Sequence, residues 1–131
     1  MTDTVHALAA EKFVSLMTYK KDGAAVATPM WIGHDGDHLF VWTPVDSWKA
    51  KRVRNDPRVA LAPCSRSGKV REGATSVGGV AEVTTDPATV QRLAGLIRRK
   101  YGFEFVIVTF IERILAPGNK PRLILRIALT S

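Results

Sequence analysis

The chain is short of several things, and each shortage removes a class of explanation. Of its 131 residues one is cysteine, Cys64. A single thiol permits no intramolecular disulfide framework, so nothing argues for an oxidising compartment. No apolar run approaches the roughly 18 residues that a membrane-spanning helix needs. The opening stretch MTDTVHALAAEKF has neither the basic start nor the long apolar segment of a secretory leader. These absences lead to the expectation of a cytoplasmic protein. His34 and His38 flank a short acidic stretch, but no third ligand stands at a metal-binding spacing, and Asp35-Gly36 is explained by a hairpin turn. No metal site is expected. There is also no Ser/His/Asp or Cys/His constellation, and Cys64, at the end of an apolar strand, reads as a small packed residue. We therefore nominate no catalytic side chain.

Acids are scarce as well: 12 Asp and Glu stand against 19 Lys and Arg, a formal charge of +7 at pH 7. Such a balance calls for an anionic partner without saying which. Nucleic-acid readers interleave aromatics with their basic positions, and Trp48 alone does so here, so nucleic acid ranks last.

What the chain does have is one domain, residues 1–131, with 46% hydrophobic content, enough to bury a core without covalent staples. Its excess charge is concentrated. From Ser47 to Arg71 there are eight Lys or Arg and one acid, Asp56. A strand ending at Thr43-Pro44 leads to Ser47, a good helix N-cap, and the helix that follows must stop near Asn55 because Asp56 precedes Pro57. Ala50 and Val53 share an inward face, while Ser47, Lys51 and Arg54 share a polar one. A hydroxyl cap, free amides and early lysines at a helix start suit a phosphate.

The remaining pattern reads as follows. A short helix covers 4–11, and strands run over 13–19 and 24–33, the second carrying Pro29 at an edge or bulge. After the hairpin turn come a return strand over 39–44, the basic helix, and the strand RVALAP over 58–63. A long strand is expected over 70–83, with Gly78-Gly79 as a kink or bulge. Asp86-Pro87 opens a long helix that Gly102 ends. Residues 103–115 fit either a buried strand or a packed helix, 116–121 a turn, and 122–129 a last strand. The expected fold class is α+β, mainly β: a partly closed barrel with one long and one or two short flanking helices.

Several short motifs occur in a telling order: Thr28-Pro29-Met30-Trp31, Asp35-Gly36-Asp37, Ser47-Trp48-Lys49-Ala50-Lys51-Arg52, Asn55-Asp56-Pro57-Arg58-Val59 and Ala62-Pro63-Cys64-Ser65-Arg66-Ser67-Gly68. With Arg99-Lys100-Tyr101-Gly102 at the close of the long helix, this order resembles the pyridoxamine-phosphate-oxidase-like split-barrel family. Within it, the chain looks most like the short members that use the deazaflavin coenzyme F-420. The resemblance implies a six-stranded split β-barrel, a homodimer, and a cofactor cleft at the subunit interface. Carried over, Ser47, Lys49, Lys51 and Arg52 hold the cofactor phosphate with Trp48 beside them. Thr28, Pro29, Met30, Trp42 and Thr43 line the ring system. Arg66, with Arg54, Lys69 and Arg71, offers ground for the acidic glutamate tail of the coenzyme. Ser65 and Met30 depart from the Asp and Val frequent in the family. The implied activity is hydride transfer between coenzyme F-420 and a small planar electron-poor substrate. The alternatives are an FMN-dependent oxidoreductase on the same barrel or a non-catalytic cofactor carrier.

Overall fold

The computed structural model describes residues 2–115 and 121–130, so the turn expected at 116–121 lies, except for Pro121, outside the described residues. In chain order the elements are α1 (Thr2–Ala9), β1 (Val14–Tyr19), β2 (Ala25–Met30), β3 (Gly33–Asp35), β4 (His38–Pro44), α2 (Trp48–Asn55), β5 (Arg58–Pro63), β6 (Val77–Thr84), α3 (Pro87–Tyr101), α4 (Phe103–Leu115) and β7 (Arg122–Leu129). All seven strands join one sheet in the order β2-β1-β5-β6-β7-β4-β3, each neighbouring pair antiparallel. The fold class is α+β, with a curled half-barrel sheet.

The resemblance implied six strands, and the described residues form seven. The single strand expected over 24–33 is interrupted at Trp31 and Ile32, where the backbone bonds are diverted to α3. The Ile32 amide donates to the Tyr101 hydroxyl at 2.9 Å, and the Ile32 carbonyl accepts from Lys100 Nζ at 2.7 Å. Those groups are therefore taken from the ladder, and Gly33–Asp35 pairs with β4 as a separate strand. The long strand expected over 70–83 is also shorter. Val70 makes one isolated bridge with Cys64, a turn follows with Gly73 at φ +78°, and β6 begins at Val77. Gly78-Gly79 makes no bulge, because the register with β5 runs unbroken through both residues and that with β7 runs unbroken from Gly79. Gly79 is required for another reason: a Cβ there would stand 2.9 Å from the Ala128 carbonyl oxygen.

Residues 103–115 form a helix, giving four helices among the described residues in place of one long and one or two short. Helix α1 begins and ends two residues earlier than the expected 4–11, whereas α2 and α3 follow their sequence signals. Asp86 caps α3 by accepting from the Thr89 amide at 3.1 Å, Pro87 opens it, and Gly102 closes it. Pro29 lies on β2, an edge strand, as a residue without an amide hydrogen must.

Strand alternation separates two apolar clusters. Leu16, Leu39, Val41, Leu61, Leu123 and Leu125 fill the concave face, where Val5 and Leu8 of α1 and Ala50 and Val53 of α2 join them. The convex face carries Phe40 and Ile124, covered by Leu93, Ile97 and Tyr101 of α3. At about 1.5–3 kcal/mol for each large side chain removed from water, the concave cluster, with fifteen buried residues against five, is the main core.

The end of α3 latches the layers together. Lys100 Nζ donates to the carbonyls of Ala9, Glu11 and Ile32, each at 2.7 Å. Burial pulls its ammonium down to about 8, so the three protons that match three carbonyls are held below that pH. Tyr101 stacks on Trp31 with ring centroids 4.4 Å apart, and its hydroxyl donates to the Lys12 carbonyl at 2.7 Å.

Candidate functional site

The functional region is built on α2. Ser47 is extended, at φ −66° and ψ 148°, and its Oγ accepts from the Ala50 amide at 3.2 Å, so the cap expected from the sequence is made. The helix ends at Asp56, extended as the residue before a proline should be. Its carboxylate then turns to Arg58, accepting from the amide at 3.1 Å and from the guanidinium at 2.7 Å. With Ala50 and Val53 buried in the concave core, the opposite side of α2 is presented to solvent in a fixed orientation.

That side forms one wall of a cleft of about 430 Å³, lined by Trp48, Lys51, Arg52 and Asn55 of α2 and by Tyr19, Lys20 and Lys21 of the β1–β2 hairpin. The four α2 residues stand at i, i+3, i+4 and i+7, one helical stripe. Arg52 is held in place by its Nε, which donates to the Thr18 hydroxyl at 2.6 Å. Lys51 Nζ sits 4.4 Å from the centroid of the Trp48 ring, and that indole is 70% exposed. Among the described residues the wall therefore presents four cations, two aromatic rings and no carboxylate.

The other expected site residues are dispersed. Ser47 and Lys49 belong to the first turn of α2 but do not line the cleft. Lys49 is half-buried, and its ammonium is shifted downward by desolvation and then by the Arg52 charge. On β2, Thr28 and Met30 are half-buried, and the exposed Pro29 lies beside the 65–69 loop, a Cβ at Gly68 coming within 3.4 Å of its ring. Thr28 opposes Leu16 in the ladder and so shares its concave face. Trp42 and Thr43, expected to line one ring pocket, point to opposite faces. Trp42 stacks on Phe105 at 5.2 Å beneath the Arg122 guanidinium on the convex side, whereas Thr43 is buried. Among the described residues the Thr28 and Thr43 hydroxyls have no hydrogen-bond partner. Arg66 lies 3.8 Å from Glu104, and Arg71 is bonded to Glu11 at 2.7 Å.

Sequence reasoning missed Tyr19, Lys20, Lys21 and Asn55. Lys20-Lys21 reads locally as a turn, and only the sheet brings that turn against α2. A second, smaller groove of about 230 Å³ lies on the convex side between α3 and α4, lined by Arg98, Phe105, Val106, Thr109, Phe110 and Arg113.

The residues present fit an anionic, partly aromatic cofactor. Cations without competing carboxylates can hold a phosphate, and a bare indole can cover a ring. A curled antiparallel sheet with a helix-lined cationic cleft at its rim defines a half-barrel of the split-barrel class. The chain belongs to the pyridoxamine 5'-phosphate oxidase family, whose model matches residues 1–131. No curated protein matches it.

Solved structures share the fold at low identity. A candidate pyridoxamine 5'-phosphate oxidase of Listeria innocua superposes with a TM-score of 0.68 at 17% identity, over 99% of this chain and 94% of that one. An F420 reductase gives 0.62 at 19% identity, over 96% and 93%. The haem storage protein HutZ of Vibrio cholerae gives 0.70 at 10% identity, over 98% and 89%.

Proposed function

We propose that the protein is an oxidoreductase that binds the deazaflavin coenzyme F-420 in the cleft between α2 and the β1–β2 hairpin, and that its substrate is a small planar electron-poor organic molecule. The observation that carries this reading is the cleft wall itself, with Lys20, Lys21, Lys51 and Arg52 around an exposed Trp48 and no acid among them. Family membership supports it, as does the likeness in fold to an F420 reductase.

When bound, the cofactor ring supplies the hydride chemistry, which is why no catalytic side chain is needed from the chain. The chain's own residues bind and orient. Arg52, fixed by Thr18, offers a rigid fork to a phosphate, and Lys51 adds a point charge beside it. Trp48 gives its ring face. The amides at the start of α2 and the half-buried Lys49 lie one turn away and complete the positive end of the helix. Thr28 to Met30 on β2 are the residues we assign to the ring side of the site, while Thr43 is buried and Trp42 stacks on Phe105 on the other face of the sheet.

Water must be kept from such a site, and we assign that task to a second copy of the chain. Helix α4 has no buried residue, while Phe103, Phe110, Ile114 and Leu115 are 77%, 62%, 63% and 78% exposed. So large an apolar face supports burial against a partner subunit.

Purified protein titrated with coenzyme F-420 and with FMN tests the cofactor. F-420 fluorescence should change with saturation, more tightly than the FMN signal, and reduced F-420 should then be oxidised in the presence of planar electron-poor acceptors. Replacing Trp48 or Arg52 with Ala should weaken binding. A wild-type protein indifferent to both cofactors would refute the reading, and tighter FMN binding would move it to the flavin alternative.

A further inference from the structure

We propose that the groove between α3 and α4 is a second binding site, separate from the α2 cleft, for a small amphipathic carboxylate whose tail lies on Phe105, Val106 and Phe110 and whose head meets Arg98 and Arg113. It lies on the convex side of the sheet and does not depend on the cofactor reading.

The lining sets the apolar half of the ligand. Gly102 alone joins the two helices, at φ +53°, and a space of about 230 Å³ stays open between them. The floor is Phe105, half-buried and stacked on Trp42 at 5.2 Å, so its ring is held back from closing the gap. Val106 and Phe110 are exposed beside it, and covering them removes apolar surface from water. The space is smaller than the roughly 300 Å³ at which drug-sized pockets begin, which suits a short alkyl or aryl tail.

The polar half follows from which charges are already answered. Helix α4 carries two acids, and both are engaged elsewhere: Glu104 by Lys12 and Arg66, and Glu112 by Arg122. Arg98 and Arg113 line the groove, and among the described residues neither pairs with a carboxylate. Thr109 adds no donor, because its hydroxyl donates to the Phe105 carbonyl at 2.8 Å. The free donors are therefore two guanidiniums, whose planar forks match an acceptor-only carboxylate. A purely apolar guest would leave two like charges facing one gap. A bare inorganic anion would leave Val106 and Phe110 wet.

This groove is compatible with a second copy on α4. Val106, Thr109 and Arg113 fall on one side of the helix, and Phe103, Ile107 and Ile114 on a stripe about 100° round it, with Phe110 between. A partner on the stripe leaves the groove accessible from the α3 side.

The test titrates the purified protein with octanoate, octanol and acetate, following methyl resonances by NMR and affinity by calorimetry. An Arg98→Gln, Arg113→Gln double variant, shown folded by circular dichroism, is run beside it. Octanoate should shift Val106 and Thr109 saturably, acetate should not saturate at the same concentrations, and the double variant should bind octanoate about five-fold or more weakly while binding octanol as the wild type does. No saturable shift, a shift centred on Ile107 and Ile114, acetate as strong as octanoate, or indifference to the double substitution would each overturn the site. Sedimentation with anionic phospholipid vesicles that the double variant abolishes would also overturn it, by giving the two arginines to a lipid surface.

Discussion

Replacing Tyr101 with Phe tests how the two faces of the sheet are joined. The substitution keeps the ring that stacks on Trp31 and removes a hydroxyl that accepts from the Ile32 amide at 2.9 Å and donates to the Lys12 carbonyl at 2.7 Å. Tyr101 is 7% exposed, so water cannot freely replace either bond. At about 1–2 kcal/mol for each backbone group left unpaired, the variant should lose about 2–4 kcal/mol. For a domain of this length that is a fall of about 7–15 °C in melting temperature. Urea unfolding of both proteins at one protein concentration measures it.

A pH series adds a signature that lost packing would not produce. Burial raises the Tyr101 phenol to about 12 from an ordinary value of 10.0. Between those values the folded chain holds a proton that the unfolded chain has released, so the phenol's contribution is complete below pH 10 and is lost as pH rises through 12. The stability difference between wild type and variant should therefore shrink across that window. A variant within about 1 kcal/mol of wild type at pH 7, or a difference that stays constant up to pH 12, would refute the reasoning.

Three further outcomes follow from the same geometry. Gly79→Ala should lower stability by about 1–3 kcal/mol, because the new Cβ would press on the Ala128 carbonyl and on Ile127 Cγ2 at 3.0 Å; calorimetry reads the shift. Ser47→Ala should cost about 1 kcal/mol through loss of the α2 cap, seen in a urea melt, with the fold retained. Phe110→Glu, on the exposed face of α4, should leave the far-ultraviolet circular dichroism unchanged and shift the mass measured by light scattering from that of the proposed dimer to that of a monomer. A dimer that survives this change would remove α4 from the interface.

The parts of the fold legible in the sequence are those whose signals are local. Ser47, Asp56-Pro57, Asp86-Pro87 and Gly102 act within a turn of their own positions, and α2, β5 and α3 begin and end where those residues place them. The misread parts were decided from afar. The strand from Ala24 breaks because Lys100 and Tyr101 claim the backbone of Ile32, and nothing near residue 32 announces that. Gly79 looked like a kink because a glycine forced by a neighbouring strand looks the same in one dimension as a glycine forced by its own dihedrals. Helix α4 is written in Phe, Val and Ile, which favour strands, and its exposed apolar residues leave no polar face to reveal the helical period. The candidate site divides likewise. The α2 stripe was visible as a basic helix, but its opposite wall comes from a hairpin far away in sequence. Trp42 and Thr43, adjacent in the chain, could not both face one pocket from a regular strand.

The open seam of the sheet has a consequence for solubility. A half-barrel leaves two borders unpaired, here β2 and β3, and bare borders are where strands of neighbouring molecules stack into fibrils. One border carries Pro29, which withholds an amide from any incoming strand. The other is three residues long and offers too little ladder to seed growth. The protein can thus keep an unclosed sheet without becoming a template for amyloid.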